Sequence, residues 1–224
     1  MVKDIIAVGT GGHELARIIE DINSIKKTYN FLGWLEKDPS KIGTDLMGYP
    51  IIGSDDLLLT ECKHCAVVNN VMAYPRLHET VTKNLVEKYH INDFPNIIHP
   101  DVDLRGVDIG FGNVANRYAR LWPLCRIGDF NMLYSSTVGH EAIVGSYNLI
   151  ATCLIGSRAK VGSFNLLGNN SSIANRAKIG NDNEIGFGAV VMQNVKNGHH
   201  LLGNPAIEAE DFVHLYMSKR RRKE

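Results

Sequence analysis

Along the second half of the chain the aliphatic residues Val144, Ile150, Val161, Leu167, Ile173, Ile179, Ile185 and Val191 stand six apart, except for one step of 11 between Ile150 and Val161. Several are followed at once by glycine, as in Val161-Gly162, Leu167-Gly168, Ile179-Gly180 and Ile185-Gly186. A period of six matches neither the 3.6 of a helix nor the 2 of an ordinary strand. It does match a solenoid whose coil has three flat faces, each turning one aliphatic side chain inward while small residues make the corners. Cys125 and Cys153 fall in the same region, where a small buried apolar residue is expected.

The first part of the chain has a different rhythm. Asp4–Val8 reads as a buried strand, Gly9-Thr10-Gly11-Gly12 as a turn, and the following segment as a helix with Leu15, Ile18, Ile19 and Ile22 on one face. Phe31–Leu35 and Cys65–Val68 read as further strands, and Tyr74–Tyr89 as a helix with Leu77, Val81, Leu85 and Val86 inward. This alternation predicts a small parallel-sheet α/β domain of the Rossmann-like, mononucleotide-binding kind. The expected division is 1–96 for the α/β domain, 97–212 for a parallel β-helix and 213–224 for a basic tail, in which Lys219-Arg220-Arg221-Arg222-Lys223 reads as a solvated run.

Charge and composition narrow the function. With 24 Lys+Arg against 24 Asp+Glu, no overall field draws the chain to nucleic acid or anionic lipid. No apolar stretch is long enough to span a bilayer, and Met1-Val2-Lys3-Asp4 leads straight into a strand pattern instead of a signal peptide, so a cytoplasmic protein without membrane partners is expected. Four cysteines make no disulfide framework, and Cys62-Lys63-His64-Cys65 lacks the second ligand pair of a structural zinc site.

Five segments carry a family resemblance that covers nearly the whole chain: Val8-Gly-Thr-Gly-Gly-His13, Gly48-Tyr-Pro-Ile-Ile-Gly-Ser54, Ile98-His-Pro100, Val138-Gly-His-Glu141 and Leu202-Gly-Asn-Pro-Ala206. Their order resembles that of the sialic-acid O-acetyltransferase and nucleotide-aminosugar N-acetyltransferase family, with the bacillosamine-type N-acetyltransferases nearest. The resemblance implies a left-handed β-helix of hexapeptide repeats, a homotrimer, acetyl-CoA as donor and a nucleotide-activated sugar as acceptor. It further implies His140 as general base, an acyl-CoA site including Gly168, Gly186, Gly203, Asn204 and Pro205, and an acceptor site including Gly9, Thr10, Gly11, Gly12, His13, Glu36 and Asp38.

Physical chemistry supports these roles. Acyl transfer from a thioester needs a proton acceptor for the attacking group and donors for the oxyanion. Imidazole suits the first task because its ordinary pKa lies near neutrality, and Glu141 is expected to accept from the other ring nitrogen and fix the tautomer. No cysteine or serine stands in an obvious nucleophile constellation, so a covalent acyl-enzyme is not expected. A metal site of the kind found in β-helical carbonic anhydrases needs three histidines on adjacent coils, and His140 is the only histidine between Ile109 and Gly198. The glycine turn offers backbone N–H groups and a helix N-terminus to a phosphate, although Glu14 stands where a dinucleotide fingerprint has its third glycine.

The chain departs from the family pattern at Leu133, where an acceptor-positioning asparagine is frequent, and at Leu149, where the bacillosamine-type enzymes have a second histidine. Asn131 and Tyr134 lie near the first of these. The spacing is one residue short between Gly128 and His140 and again between Gly145 and Gly162, which predicts two tightened corners. The expected activity is N-acetylation of a nucleotide-linked amino sugar; O-acetylation of a sialic-acid-type hydroxyl and non-catalytic binding of a nucleotide sugar are the alternatives.

Overall fold

A computed structural model describes residues 2–204 and 206–214. The chain forms two compact units, one of residues up to Val102 together with Gly110–Arg117, the other of Asp103–Ile109 together with the chain from Tyr118 onward.

The first unit is built on a five-stranded sheet. Strands β1 (Lys3–Val8), β2 (Tyr29–Leu35), β3 (Asp45–Leu46), β4 (Tyr49–Gly53) and β5 (Ala66–Asn69) lie in the order β3-β4-β2-β1-β5, with helices α1 (Glu14–Ile25) and α2 (Pro75–Glu87) between or after them. β1 pairs in parallel with β2 and β5, and β2 with β4; only β3 runs antiparallel, as a hairpin partner of β4. This hairpin adds to the three strands expected from sequence. Its turn uses Met47 and Gly48, both at positive φ.

Helix α1 buries Leu15, Ala16, Ile18 and Ile19, close to expectation, with Ile22 half-buried. Helix α2 corrects the sequence reading. Leu77 and Val86 are exposed, and the buried face is Pro75, His78, Val81, Thr82 and Leu85. Polar groups turn inward because they have partners there: buried Asn69 donates to the His78 carbonyl and to the Thr82 hydroxyl, while the His78 ring meets the Val71 carbonyl at 3.0 Å. Burial pushes the His78 pKa down to about 4, so this imidazole stays neutral.

The second unit is a parallel β-helix. Successive short strands rotate among three sheets, and each pairs in parallel with the strand one coil later, as Arg126–Ile127 does with Ile143–Val144 and then Lys160–Val161 with Lys178–Ile179. Every aliphatic of the six-residue series is buried, and Ile155, fully buried, divides the long step into five and six. The residue saved lies between the inward aliphatic and the left-handed corner residue. Val138 is followed by Glu141 (φ 56), but Leu133 by Ser135 (φ 53) and Ile150 by Thr152 (φ 48). Strands therefore repeat after 17 residues around these corners, as in Thr137 to Leu154, and after 18 further on, as in Leu154 to Ser172.

Inside the prism runs a ladder of buried asparagines, Asn131, Asn148, Asn165 and Asn183. Each Oδ1 accepts from the backbone N–H and the side-chain amide of the next, as Asn165 does from Asn183 at 2.9 and 3.0 Å, and the last accepts from His199 N–H. Phe130, Tyr147 and Phe164 stack at a corner with centroids 5.1 and 5.5 Å apart. All four cysteines are free and buried, and burial pushes the Cys65, Cys125 and Cys153 thiols up to about 11. Among the described residues no helix is long and apolar enough to cross a membrane, and no cluster of three potential metal ligands occurs.

Candidate functional site

His140 sits at the corner that follows strand Thr137–Val138, with its side chain exposed. Its backbone carbonyl accepts from Arg158 N–H of the next coil at 2.8 Å, which fixes the main chain. The ring lies against Trp122 of the preceding coil, centroids 4.8 Å apart at 47°, and makes no hydrogen bond among the described residues. The ring is thus an exposed imidazole that has an indole at one side and no hydrogen-bond partner among the described residues.

Glu141 corrects the expectation that it bonds to His140. Its positive φ of 56° turns the side chain along the stack, where Arg158, one coil of 17 residues later, donates to Oε1 from Nη2 at 2.7 Å and from Nε at 3.1 Å. Those hydrogen bonds hold the Glu141 carboxyl below its ordinary value, with the charges of Arg158, His140 and Arg176 adding to them. Trp122 and Arg158 were not among the sequence candidates. They become visible only once the coil length is known, since each stands about one coil from the His140-Glu141 pair.

Gly168 and Gly186 lie at a different corner, after strands Leu166–Leu167 and Glu184–Ile185, so the structure does not bring them together with His140 on one edge of the prism. Their lack of a side chain has a packing cause. A Cβ on Gly168 would stand 2.6 Å from Phe187 and 2.9 Å from the Ile185 carbonyl, and one on Gly186 would stand 2.3 Å from Leu202. Gly203 has a φ of +94° and accepts from Val190 N–H at 3.0 Å; Asn204 is exposed, and Pro205 lies outside the described residues, as do 215–224 of the basic tail. Nearby, His199 pairs with Glu208 at 2.5 Å. Leu133 and Leu149 are buried, and Asn131, fully buried in the ladder, is a structural residue.

In the first unit the glycine turn joins β1 to α1. Gly9, at φ +89°, donates to the Leu35 carbonyl, whereas the N–H groups of Thr10, Gly11, Gly12 and His13 have no acceptor among the described residues. His13 is the N-cap of α1, exposed and without a side-chain cap bond. Unpaired amides at a helix N-terminus are suited to an anion. Glu36, just past β2, accepts from Thr10 Oγ1 at 2.6 Å and from Lys37 N–H at 2.8 Å, with Lys41 Nζ at 3.5 Å. Burial acts to raise its pKa, but these donors and the lysine outweigh it and hold the carboxyl below its ordinary value. Asp38 is spent locally, capping the short 3-10 helix Pro39–Lys41 through Ser40. A cavity of about 160 Å³ beside Gly9 and Glu36 is walled by Val8, Leu35, Val71, Leu77 and Val81 and also lined by Lys37 and Asp55. The exposed Leu77 of α2 thereby finds a place at its rim.

No protein-family model matches the sequence, and no curated protein does. Solved structures do match over nearly the full length. The acetyltransferase domain of PglB from Neisseria gonorrhoeae is 21% identical with a TM-score of 0.81, covering 92% of this chain and 99% of that one. GDP-perosamine N-acetyltransferase from Caulobacter crescentus, in complex with CoA and GDP-perosamine, is 20% identical with a TM-score of 0.76, covering 93% and 97%. WeeI from Acinetobacter baumannii is 21% identical with a TM-score of 0.63, covering 93% and 100%. The chain has the fold of these acetyltransferases. The likeness runs through both units and agrees with the family that the sequence motifs resemble.

Proposed function

We propose that this chain transfers the acetyl group of acetyl-CoA to the amine of a nucleotide-linked amino sugar. The observation that carries the reading is His140: an exposed imidazole with no hydrogen-bond partner among the described residues, on a corner of a β-helix, in the motif Val138-Gly-His-Glu141. Among the fold neighbours, structures of the Caulobacter enzyme exist with a histidine replaced by alanine or asparagine and with CoA and GDP-perosamine bound. In the proposed mechanism His140 takes the proton from the attacking amine as it adds to the thioester carbonyl, and a backbone N–H of an adjacent coil holds the oxyanion; collapse of the oxyanion breaks the C–S bond, and the proton on His140 passes to the departing CoA thiolate. Trp122 and the Arg158-held Glu141 stabilise the imidazolium that results, Glu141 acting by charge and not by a direct bond.

The domain assignment follows from the same reading. A Rossmann-like first domain, 1–96, holds the nucleotide sugar at Gly9, Thr10, Gly11, Gly12, His13 and Glu36, and a left-handed β-helix of hexapeptide repeats, 97–212, carries the chemistry in the cytoplasm. His140 and the Gly168, Gly186, Gly203, Asn204 corner occupy different edges of one prism, so a CoA touching both requires a second copy, as in a homotrimer. Sedimentation at micromolar concentration is expected to give a trimer of the 24.8 kDa chain, and a monomer would remove this location for CoA.

Release of CoA thiol from acetyl-CoA, measured with a panel of amino and hydroxy nucleotide sugars, tests the function: turnover with amines alone is expected. Turnover only with hydroxyl acceptors favours O-transfer, and tight binding with no turnover favours a binding protein. Within that assay Glu36→Gln is expected to raise the acceptor KM while leaving the acetyl-CoA KM nearly unchanged, because the carboxylate that organises the turn through Thr10 loses its charge. An equal rise in both would detach Glu36 from the acceptor site.

A further inference from the structure

Among the described residues of the first unit, Asp55 is the one buried carboxylate that has no hydrogen-bond partner for either oxygen. It stands two residues past β4, at the start of the 3-10 helix Asp55–Leu59, is 3% exposed and lines the cavity beside Gly9 and Glu36. The nearest cation is Lys37, whose Nζ stands 3.8 Å from Oδ2, too far for a hydrogen bond, on a side chain that is largely exposed. Burial pushes this carboxyl above its ordinary value, the opposite of what happens to Glu36 a strand away, where donors are already in place. A buried acceptor left empty costs free energy that a ligand's donors would recover.

The topology orders the site. β1, β2 and β4 are parallel and adjacent, so their carboxyl ends lie along one edge of the sheet. β1 leads into the glycine turn with unpaired amides, suited to a phosphate; β2 leads into Glu36, where parallel α/β nucleotide sites hold a ribose hydroxyl; β4 leads through Ser54 into Asp55. Phosphate, ribose and base follow one another in the same order along a nucleotide. The cavity walls beside Asp55 are aliphatic, as the faces of a base require.

From this we infer that Asp55 reads the base, and that the base is guanine. The inference rests on the nucleotide-sugar reading above. A carboxylate with two vacant oxygens is matched by two adjacent donors, and the guanine N1–H and N2–H pair supplies them. Uracil and thymine present a single N–H flanked by carbonyl oxygens that would face the carboxylate. Adenine and cytosine present one amine beside a ring nitrogen with a lone pair.

Calorimetric titration of the full chain with GDP, UDP, dTDP, ADP and CDP tests the assignment. GDP is expected to bind about 10- to 100-fold more tightly than the others, the range of a bidentate contact to a base edge. Asp55→Asn, which exchanges one acceptor for a donor, is expected to abolish the GDP preference without weakening UDP, and to raise Tm by removing a buried unpaired acid. A pyrimidine diphosphate binding wild type as tightly as GDP would overturn the guanine assignment while leaving the nucleotide pocket standing. Failure of every diphosphate to bind would remove the pocket as well. A fall in Tm for Asp55→Asn would mean that the carboxylate has structural partners and would overturn its role as a reader. Should the variant not fold, the wild-type panel alone decides.

Discussion

Replacing His140 by asparagine is expected to lower kcat about 10²–10⁴-fold with both substrates still binding, the range that a positioned general base contributes. The substitution keeps approximate size and some hydrogen bonding, and it touches no buried group: the coil is held there by the His140 carbonyl and Arg158 N–H, which any residue provides. Folding should be unaltered. Glu141→Gln should cost less than His140→Asn, since Glu141 is engaged by Arg158 and reaches His140 only through its charge. Retention of more than about a third of wild-type kcat by His140→Asn, far outside that range, would show that the base lies elsewhere.

Replacing Asn165 by alanine is expected to lower the stability of the β-helix by about 3–7 kcal/mol, read from chemical denaturation. The substitution strips the acceptor from two donors of Asn183, its backbone N–H and its side-chain amide, and removes the bond to Asn148 Oδ1. Each buried group left unsatisfied costs roughly 1–3 kcal/mol, and the lost bond adds about 1 kcal/mol. By contrast, the Arg158–Glu141 pair, exposed on both sides and screened by solvent, should contribute little to stability. A loss below about 1 kcal/mol for Asn165→Ala would mean that water replaces the missing rung, which the ordinary cost of an unsatisfied buried group does not predict.

The solenoid was legible because its core repeats along the sequence: Val161 to Val191 keep one phase, and all are buried. Ile155 escaped the series only because its corner is one residue short. The α/β unit was less legible. Reading α2 by apolar residues alone placed Leu77 and Val86 inward, whereas the buried positions are partly His78 and Thr82, whose polar atoms bond to Asn69 and Val71. Hairpin β3–β4 was missed because its strands are short and interrupted by Gly48 and Pro50.

Within the candidate site, His140 and the glycine turn stood out as motifs. The partner of Glu141 could not, because a neighbour 17 residues away is set by coil length and not by local pattern. Asp55 was hidden in the polar run Ser54-Asp55-Asp56, where only burial distinguishes the first aspartate from the second.

The two short corners at Ser135 and Thr152 bear on how such a chain tolerates change. In an ordinary strand the loss of one residue turns every later side chain to the wrong face. Here the residue is lost between the inward aliphatic and the left-handed turn, and the next face begins in phase again at Val138 and Ile155. Register is renewed at each corner, so an error in length is confined to the corner where it arises. The chain can therefore reshape the edges that carry its chemistry, one residue at a time, while the faces that hold it together keep their sequence.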